Sequence, residues 1–410
     1  MRPHEVHGAR AQQQPTQGTG GTVAAYGSHR AILAGGTLPH ASYDDQMPTD
    51  PRRADRCPGV LRPHEAADGA IVRIRVPGGQ TTGTALRDLS RLAQTYGSGL
   101  LQLTSRASVQ VRGLPAAVPE PFEDAVARAG FLPSAEHERV RNIVASPLTG
   151  LVGGRADLRP LVARLDRALV AEPRLAALPG RFLFVLDDGR GDVAGLGGDL
   201  GYRALDAGRG ELLVGDRRRT RPVRLAEVAE TLVDLAVRFL DRRGEAWHVR
   251  QLDGPLLEGT EKALLEPPVP RPAGVVADHL VVDVPLGLLG PAQVDAVQAA
   301  VGGGPVVVTP WRSLVLPNAA PARGAMEAVG LATEPDHAWS QVSACVGSPW
   351  CANGRADTRT LAAQLVAAGG PGRRTHLSGC ERRCGAPAEP HVDLVAPTHR
   401  DLAELLLARA

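Results

Sequence analysis

The chain has 410 residues, of which 43% are apolar and 22% charged, a composition typical of a globular protein with two or three domains. Only 3% of the residues are aromatic and the formal net charge is +2, which disfavours the stacking platforms and basic surfaces that bind nucleic acid. No segment approaches the ~20 consecutive apolar residues that a membrane-spanning helix needs. The totals therefore leave an enzyme or a small-molecule-binding protein as the main classes.

Residues 1–55 are rich in Gln, Gly, Thr, Pro and Ala and show no sustained periodicity, which predicts a disordered leader. The stretch from Met1 to Tyr26 lacks the apolar core of an export signal. We therefore expect a cytoplasmic, reducing environment in which the five cysteines are free thiols.

A first folded module is predicted at 56–140. It begins with a run in which apolar and polar residues alternate, and this run ends at the turn Pro77-Gly78-Gly79. The pattern then continues in chain order, giving a strand, a helix, a strand pair and a second helix at 70–76, 86–93, 100–112 and 121–129.

The same order of elements occurs again at 271–335. Both strand pairs carry a landmark at their turn, Thr104-Ser105-Arg106 in the first and Thr309 with Arg312 in the second. A β-α-β-β-α repeat of this length indicates an α+β fold with duplicated ferredoxin-like half-domains. Such half-domains can pair about a pseudo-twofold axis and form a cleft between them.

Two further regions complete the predicted organisation. Residues 141–270 combine helical spacing at 157–171 and 225–240 with segments that we interpret as antiparallel strands, at 181–186, 201–205 and 210–214. Residues 336–410 contain a helix at 357–368 and a strand at 374–379.

Four of the five cysteines fall in this last region, as Cys345, Cys351, Cys380 and Cys384. Their spacing has no recurring C-x2-C knuckle, so four soft thiolates favour an iron–sulfur cluster, with zinc as the alternative. Because Cys380 and Cys384 are four residues apart, we expect both sulfurs on one side of a helical turn. Cys57 lies far upstream and is interpreted as a small buried residue rather than a ligand.

Lys262 is the only lysine, so nearly all of the 46 basic residues are arginines, whose planar forks suit bidentate recognition of carboxylates. Motifs for other chemistry are missing or incomplete. No P-loop and no H-E-x-x-H sequence occurs, and Gly195 to Gly201 misses the spacing of a dinucleotide fingerprint.

Five segments together resemble the siroheme-dependent sulfite and nitrite reductase superfamily, over most of the chain from Cys57 to Val395. Within it, the sequence looks most like the precorrin-3B synthases. The segments that carry the likeness are Cys57-Pro-Gly-Val-Leu61, Arg75-Val-Pro-Gly-Gly79, 103–113, Arg141-Asn142 with Ser146-Pro147, and Ser378-Gly-Cys-Glu-Arg-Arg-Cys384.

The resemblance implies duplicated ferredoxin-like half-domains joined to sulfite/nitrite-reductase-like α/β domains, and a [4Fe–4S] cluster on the four clustered cysteines. It implies a neighbouring tetrapyrrole pocket lined by Arg75, Arg106, Arg141 and Arg181. It further implies precorrin-3A and O2 as substrates, hydroxylated with lactone formation in aerobic cobalamin biosynthesis. An NADH-linked reductase or a ferredoxin would donate electrons, and related enzymes add a mononuclear non-haem iron.

One departure bears on the choice within the superfamily. Its reductases place two lysines after a proline to bind sulfite or nitrite. The matching stretch of this chain, Pro179-Gly-Arg181-Phe-Leu183, has one arginine and a leucine instead. The favoured interpretation is therefore an iron–sulfur monooxygenase. A siroheme-dependent sulfite or nitrite reductase, with Cys384 bridging cluster and siroheme, is the first alternative. A non-enzymatic zinc or iron–sulfur regulatory protein is the second.

Overall fold

The structure is a computed structural model that describes residues 55–215, 218–220, 222–262, 265, 269–387 and 390–408. The predicted leader, apart from its last residue, lies outside the described residues. The predicted domain boundaries after 140, 270 and 335 stay predictions.

The first repeat forms an antiparallel sheet covered by two helices. Alternation along its long strand buries Val72 and Ile74 against the helices and turns Arg73 to the opposite face. The first helix begins where Thr82 accepts a hydrogen bond from the amide of Ala85, at 3.1 Å. The elements are β1 (His64–Ala66), β2 (Gly69–Ile74), β3 (Gln80–Thr82), α1 (Gly83–Tyr96), β4 (Leu101–Leu103), β5 (Val109–Leu114) and α2 (Glu120–Arg128).

The second repeat has the same order, which confirms the predicted duplication. Its helices α5 and α6 cover the sheet from the same side, and one apolar core runs through both repeats. The second-repeat elements are β13 (Gly274–Val276), β14 (His279–Asp283), β15 (Leu288–Leu289), α5 (Pro291–Val301), β16 (Pro305–Val308), β17 (Ser313–Leu316) and α6 (Arg323–Ala328).

The two repeats exchange strands, a feature that the sequence analysis did not anticipate. Strand β3 leaves the first repeat and pairs with β16, and β15 leaves the second and pairs with β4. The resulting five-stranded sheets have the orders β1-β2-β5-β4-β15 and β13-β14-β17-β16-β3. Gly79 permits the crossing, because a Cβ there would lie 1.9 Å from the carbonyl oxygen of Val308.

The middle region is a seven-stranded mixed sheet with two helices against it. Its elements are β6 (Ile143–Ala145), α3 (Arg159–Ala171), β7 (Phe184–Asp187), β8 (Leu200–Ala204), β9 (Arg209–Val214), β10 (Arg218–Arg219), β11 (Val223–Arg224), α4 (Val228–Arg242) and β12 (Glu261–Lys262). The expectation of antiparallel strands is wrong for β7 and β8, which pair in parallel, and right for β8 and β9. The connection between β7 and β8 is long enough to cross over rather than to turn back.

The last region is a small parallel sheet in the order β18-β19-β20. Asp357 caps its first long helix by accepting from the amide of Thr360. Its elements are α7 (Ala338–Gln341), β18 (Val342–Ala344), α8 (Thr358–Ala367), β19 (Thr375–Ser378), β20 (Val392–Val395) and α9 (His399–Leu407). Within the described part of the chain, no helix has the length and apolar character needed to cross a bilayer.

Candidate functional site

The two cysteine pairs meet at one edge of the small parallel sheet. Cys345 directly follows β18, and Cys380 comes two residues after β19, so the carboxyl ends of neighbouring parallel strands deliver both. The amide of Cys345 donates to the carbonyl of Leu377 at 3.0 Å, which extends the strand pairing to the cysteine itself. The amide of Gly379 donates to the Cys345 sulfur at 3.0 Å.

Three glycines allow the cysteine loops to approach this closely. A Cβ on Gly379 would lie 3.2 Å from the Cα of Gly347 and 3.3 Å from the Cα of Gly354. A Cβ on Gly354 would lie 2.6 Å from the amide nitrogen of Ser348, and one on Gly347 would lie 2.3 Å from the Thr358 hydroxyl oxygen. The backbone around Cys345 and Cys351 is therefore packed to a degree that only glycine permits.

The segment from Cys380 to Cys384 is not the helical turn that the spacing predicts. It consists of turns, and Arg383 adopts the left-handed conformation with φ of 45°. That conformation ends any helical path, and it directs the Arg383 guanidinium to the carboxylate of Asp393 on β20. The predicted helical turn at Cys380 to Cys384 is therefore wrong.

The distances between the sulfurs show whether they already form a site for a single zinc ion. Zinc–sulfur bonds of ~2.3 Å bring thiolates to within roughly 4 Å of one another. Among the described residues, which include all four clustered cysteines, no three of these sulfurs lie within 4.8 Å of one another. The four sulfurs therefore do not form the closed thiolate shell of a single zinc ion in this structure.

Polar atoms without partners face the same region. His376, on β19, is fully buried, with Nδ1 2.9 Å from the Ser343 hydroxyl. The ring also lies close to the main chain of Cys384, although its Nε2 and the hydroxyl of Ser378 make no hydrogen bond of good geometry among the described residues. Burial, reinforced by Arg312, holds the pKa of His376 well below its usual value, so the ring is neutral. Amide and imidazole donors around four thiols fit an iron–sulfur cluster, whose sulfurs accept such bonds.

Cys57 lies apart from the cage formed by Cys345, Cys351, Cys380 and Cys384. It stands beside Gly180, where a Cβ would come within 2.8 Å of the Cys57 Cβ, and its amide donates to Asp55. It lies near Arg75, where it partly opposes the lowering of that arginine's pKa by burial. The fifth cysteine therefore belongs to the arginine cluster rather than to the cysteine cage.

Arg75 is the most deeply buried of the four arginines, with 2% of its surface exposed. Its Nε and Nη2 donate to the carbonyl of Arg139 at 3.4 and 3.3 Å, while Nη1 has no partner among the described residues. Burial, with Arg73 next in effect, lowers the pKa of Arg75 to about 9. A buried guanidinium with an unpaired nitrogen has the chemistry to bind an anionic group.

Arg106 and Arg181 lie in contact with one another. Arg106, at the tip of the β4–β5 hairpin, donates through Nη1 to the carbonyl of Arg181 at 3.0 Å. Arg106 is also close enough to Arg75 to lower its pKa. Arg106 thus lies near Arg75 and against the main chain of Arg181, and the assignment of these arginines to a substrate pocket stays a prediction.

Arg141 has a partner of its own. Its Nε and Nη2 donate to both carboxylate oxygens of Asp166 at 2.7 and 2.8 Å, and its Nη1 donates to the carbonyl of Phe131. It lines a cavity of about 310 Å³ together with Arg75, and Gln80 and Thr81 line the same cavity with unpaired polar atoms. The guanidinium of Arg141 is therefore neutralised by protein, unlike that of Arg75.

Leu183 occupies the position where the resemblance places the second lysine of the reductases. It is 6% exposed and packs with Val144, Val185 and Val193 in a small apolar cluster. Trp311, from the β16–β17 hairpin, packs against this cluster. A buried apolar side chain therefore stands where the reductases have the second lysine of their anion site.

Residue-based reasoning gave no ligands for a mononuclear iron. Within the described ranges, the one group of three or more candidate ligand atoms within 4.8 Å is formed by Asp187, Asp188 and Asp192. It contains no histidine, and Asp187 is already satisfied by four main-chain amides. This group does not match the two histidines and one carboxylate typical of such iron sites.

Comparison with known proteins agrees with this geometry. Residues 62–129 match the family model described as the nitrite/sulfite reductase ferredoxin-like half domain. The fold is similar to that of the NirA protein of Mycobacterium tuberculosis, with a TM-score of 0.57 and 19% identity over 84% of this chain and 77% of that one. A precorrin-3B synthase of Sinorhizobium sp is 26% identical over 374 residues, covering 84% of this chain and 81% of the relative.

These matches relate the chain to proteins of the nitrite/sulfite reductase superfamily. A second relative within this superfamily is Sulfite reductase (ferredoxin) 2 of Mycolicibacterium paratuberculosis, 26% identical over 369 residues. That match covers 77% of this chain and 65% of the relative. The predicted resemblance is thereby confirmed at the level of the superfamily and its fold.

Sequence reasoning overlooked one residue that the structure brings to the four clustered cysteines. Arg312 was noted only as a landmark of the second repeat, yet its Nη2 donates to the carbonyl of Gly385 at 3.1 Å, next to Cys384. The partner could not be read from the sequence.

Proposed function

We propose that this protein is an iron–sulfur oxidoreductase that acts on a tetrapyrrole, and specifically a precorrin-3B synthase that hydroxylates precorrin-3A with O2 and forms a lactone. The observation that carries the choice is Leu183, buried in an apolar cluster with Trp311 against it. A neutral diatomic reactant suits such a wall, whereas sulfite and nitrite need a cationic one. The curated precorrin-3B synthase relative supports the same choice.

In this proposal the arginines bind the carboxylates at the rim of the macrocycle. Arg75 offers an unpaired buried Nη1, and Arg106 and Arg181 stand beside it. Arg141 closes the wall of the same cavity through its pair with Asp166. Several guanidinium groups fix the orientation of a ring edged with acetates and propionates, because each can donate two hydrogen bonds to one carboxylate.

Cys345, Cys351, Cys380 and Cys384 would hold the [4Fe–4S] cluster, which supplies single electrons when bound. The amide of Gly379 and the neutral imidazole of His376 would stabilise negative charge on the sulfurs. One oxygen atom of O2 enters the product and the other leaves as water, which takes two protons from solvent and two electrons from an external donor, an NADH-linked reductase or a ferredoxin. The described residues bring together no ligand set for a mononuclear iron, and no step is assigned to one.

Leu183 and Trp311 keep water away from the reacting face of the ring. Expression in the cytoplasm, where thiols stay reduced, is part of the same proposal.

A siroheme-dependent sulfite or nitrite reductase remains the second candidate, favoured by the sulfite reductase relative and by the one cation kept at Arg181. The visible spectrum of anaerobically purified protein separates the two. A plain cluster spectrum with oxygen-dependent conversion of precorrin-3A supports the monooxygenase. A siroheme band with turnover of sulfite or nitrite contradicts it.

A further inference from the structure

The hairpins at the tips of the two repeats share one backbone conformation. In the first, the amide of Ala107 donates to the carbonyl of Thr104 and the amide of Thr104 donates to the carbonyl of Ser108, at 3.2 and 3.0 Å. In the second, the equivalent bonds join Arg312 to Thr309 and Thr309 to Ser313, at 3.3 and 3.0 Å. This correspondence pairs each residue of one hairpin with one of the other.

In this correspondence between the hairpins, Arg106 and Arg312 are not equivalent but differ by one position. Ala107 and Arg312 are equivalent and share a positive φ, of 52° and 61°. Arg106 is therefore equivalent to Trp311, and both reach toward the start of β7, where Arg106 contacts Arg181 and Trp311 packs near Leu183. Arg312 has no counterpart in the first repeat, so its role is not one that the duplication supplied.

The side chain of Arg312 runs through a passage that two glycines create. A Cβ on Gly287, in the second repeat, would lie 2.7 Å from the Arg312 Cδ. A Cβ on Gly385, beside Cys384, would lie 2.2 Å from its Nη2. The guanidinium emerges at the cysteine loop, where Nη2 donates to the carbonyl of Gly385.

The charge of Arg312 has no carboxylate to balance it among the described residues. Burial lowers the pKa of Arg312, and the thiol of Cys345 is the one group that opposes this effect. The same charge lowers the pKa of His376. A buried cation without a counter-ion is costly, and a net-negative thiolate-bound cluster would supply the missing charge.

We infer that Arg312 is a positioning residue that ties the loop of Cys380 and Cys384 to the second repeat and places a positive charge beside the cluster. This charge favours the reduced cluster. The inference rests on the proposed cluster, and it adds a determinant of the reduction potential that lies outside the cysteine domain.

The test is a redox titration of the reconstituted full-length protein, followed by electron paramagnetic resonance. Arg312→Met should lower the equilibrium constant for cluster reduction at least about tenfold, which corresponds to about 59 mV for one electron. Arg312→Lys should give a smaller decrease because it keeps the charge. Arg400→Met is the matched control, since it removes one positive charge from an exposed position on α9, and it should leave the potential unchanged.

An Arg312→Met protein with an intact cluster and the wild-type potential would overturn the inference. If that variant does not fold, Gly287→Ala displaces Arg312 from the other side of the passage, and it should shift the potential in the same direction. An unshifted potential there would overturn the inference equally. Wild-type protein without iron and sulfide would instead overturn the proposed function itself.

Discussion

The amide of Gly379 donates a hydrogen bond to the sulfur of Cys345 at 3.0 Å, and this contact joins the two cysteine pairs across 34 residues of chain. It exists because β18 and β19 are parallel neighbours, so their carboxyl ends reach the same edge of the sheet. An amide donor at a thiolate stabilises negative charge, whether on the free ligand or on a reduced cluster.

Gly354→Ala should damage this cage directly. The added methyl would lie 2.6 Å from the amide nitrogen of Ser348 and 2.7 Å from the carbonyl carbon of Gly347, and main chain cannot move aside as a side chain can. We expect a loss of about 1–3 kcal/mol in the free energy of unfolding, measured in denaturant. Gly324→Ala is the control, since a methyl on that helical glycine meets nothing within 4 Å. Equal stability of the two variants would contradict the packing argument.

The pair of Arg141 and Asp166 should contribute to stability rather than to ligand binding alone. The Arg141 side chain is 4% exposed and makes two bonds to Asp166, so Asp166→Asn leaves a buried cation without its counter-ion. We expect a loss of about 3 kcal/mol in the free energy of unfolding. Asp157→Asn breaks the exposed pair with Arg159 and should cost less than about 1 kcal/mol. Unfolding midpoints that do not differ would argue against a structural role for the buried pair.

Asp192 should make stability depend on pH. Burial is the main cause that raises its pKa to about 7, from the model-compound value of 3.8, and the hydrogen bond from Ser146 opposes it. The folded state therefore binds this proton more tightly than the unfolded state. Its stabilising contribution is complete below about pH 4 and is lost as the pH rises through about 7.

Asp192→Asn removes that loss, because the amide carries no charge at any of these pH values. Relative to wild type, the variant should gain stability progressively between about pH 4 and 8, by a few kcal/mol at most, since one pKa unit is worth about 1.4 kcal/mol. Denaturant unfolding of both proteins across this range measures the difference. A difference that does not change with pH would mean that Asp192 titrates normally.

Arg106→Ala should weaken the binding of precorrin-3A by about 1.5–3 kcal/mol, the scale of a hydrogen bond to a charged group. Anaerobic absorbance titration with the tetrapyrrole measures this. Arg400→Ala, on the exposed face of α9, changes the net charge equally and should bind as the wild type does. Identical affinities for the three proteins would remove Arg106 from the pocket.

Regular elements were predictable from the sequence because local pattern determines them. Alternation gave β2, and the helix α1 followed from leucines at helical spacing such as Leu86 and Leu89, both buried. The exchange of β3 and β15 was not predictable, since strands of two or three residues carry no period. Their pairing is decided by contacts with the other repeat, as at Gly79 and Val308.

The candidate site was predictable in its residue types but not in its geometry. The spacing of the cysteines indicated four ligands, but the left-handed Arg383 that breaks the expected helical turn depends on its pair with Asp393, on a strand that follows. In the same way, the sequence marked Arg312 without revealing the passage between Gly287 and Gly385. Long-range partners of this kind leave no local pattern.

The central claim is that Cys345, Cys351, Cys380 and Cys384 together hold one iron–sulfur cluster. The most direct test is iron, zinc and acid-labile sulfide analysis of anaerobically purified wild type, Cys351→Ser and Cys57→Ser. We predict iron and sulfide in the proportions of a [4Fe–4S] cluster in the wild type and in Cys57→Ser, and loss of both in Cys351→Ser. Zinc without sulfide in the wild type, or full iron and sulfide in Cys351→Ser, would contradict the claim.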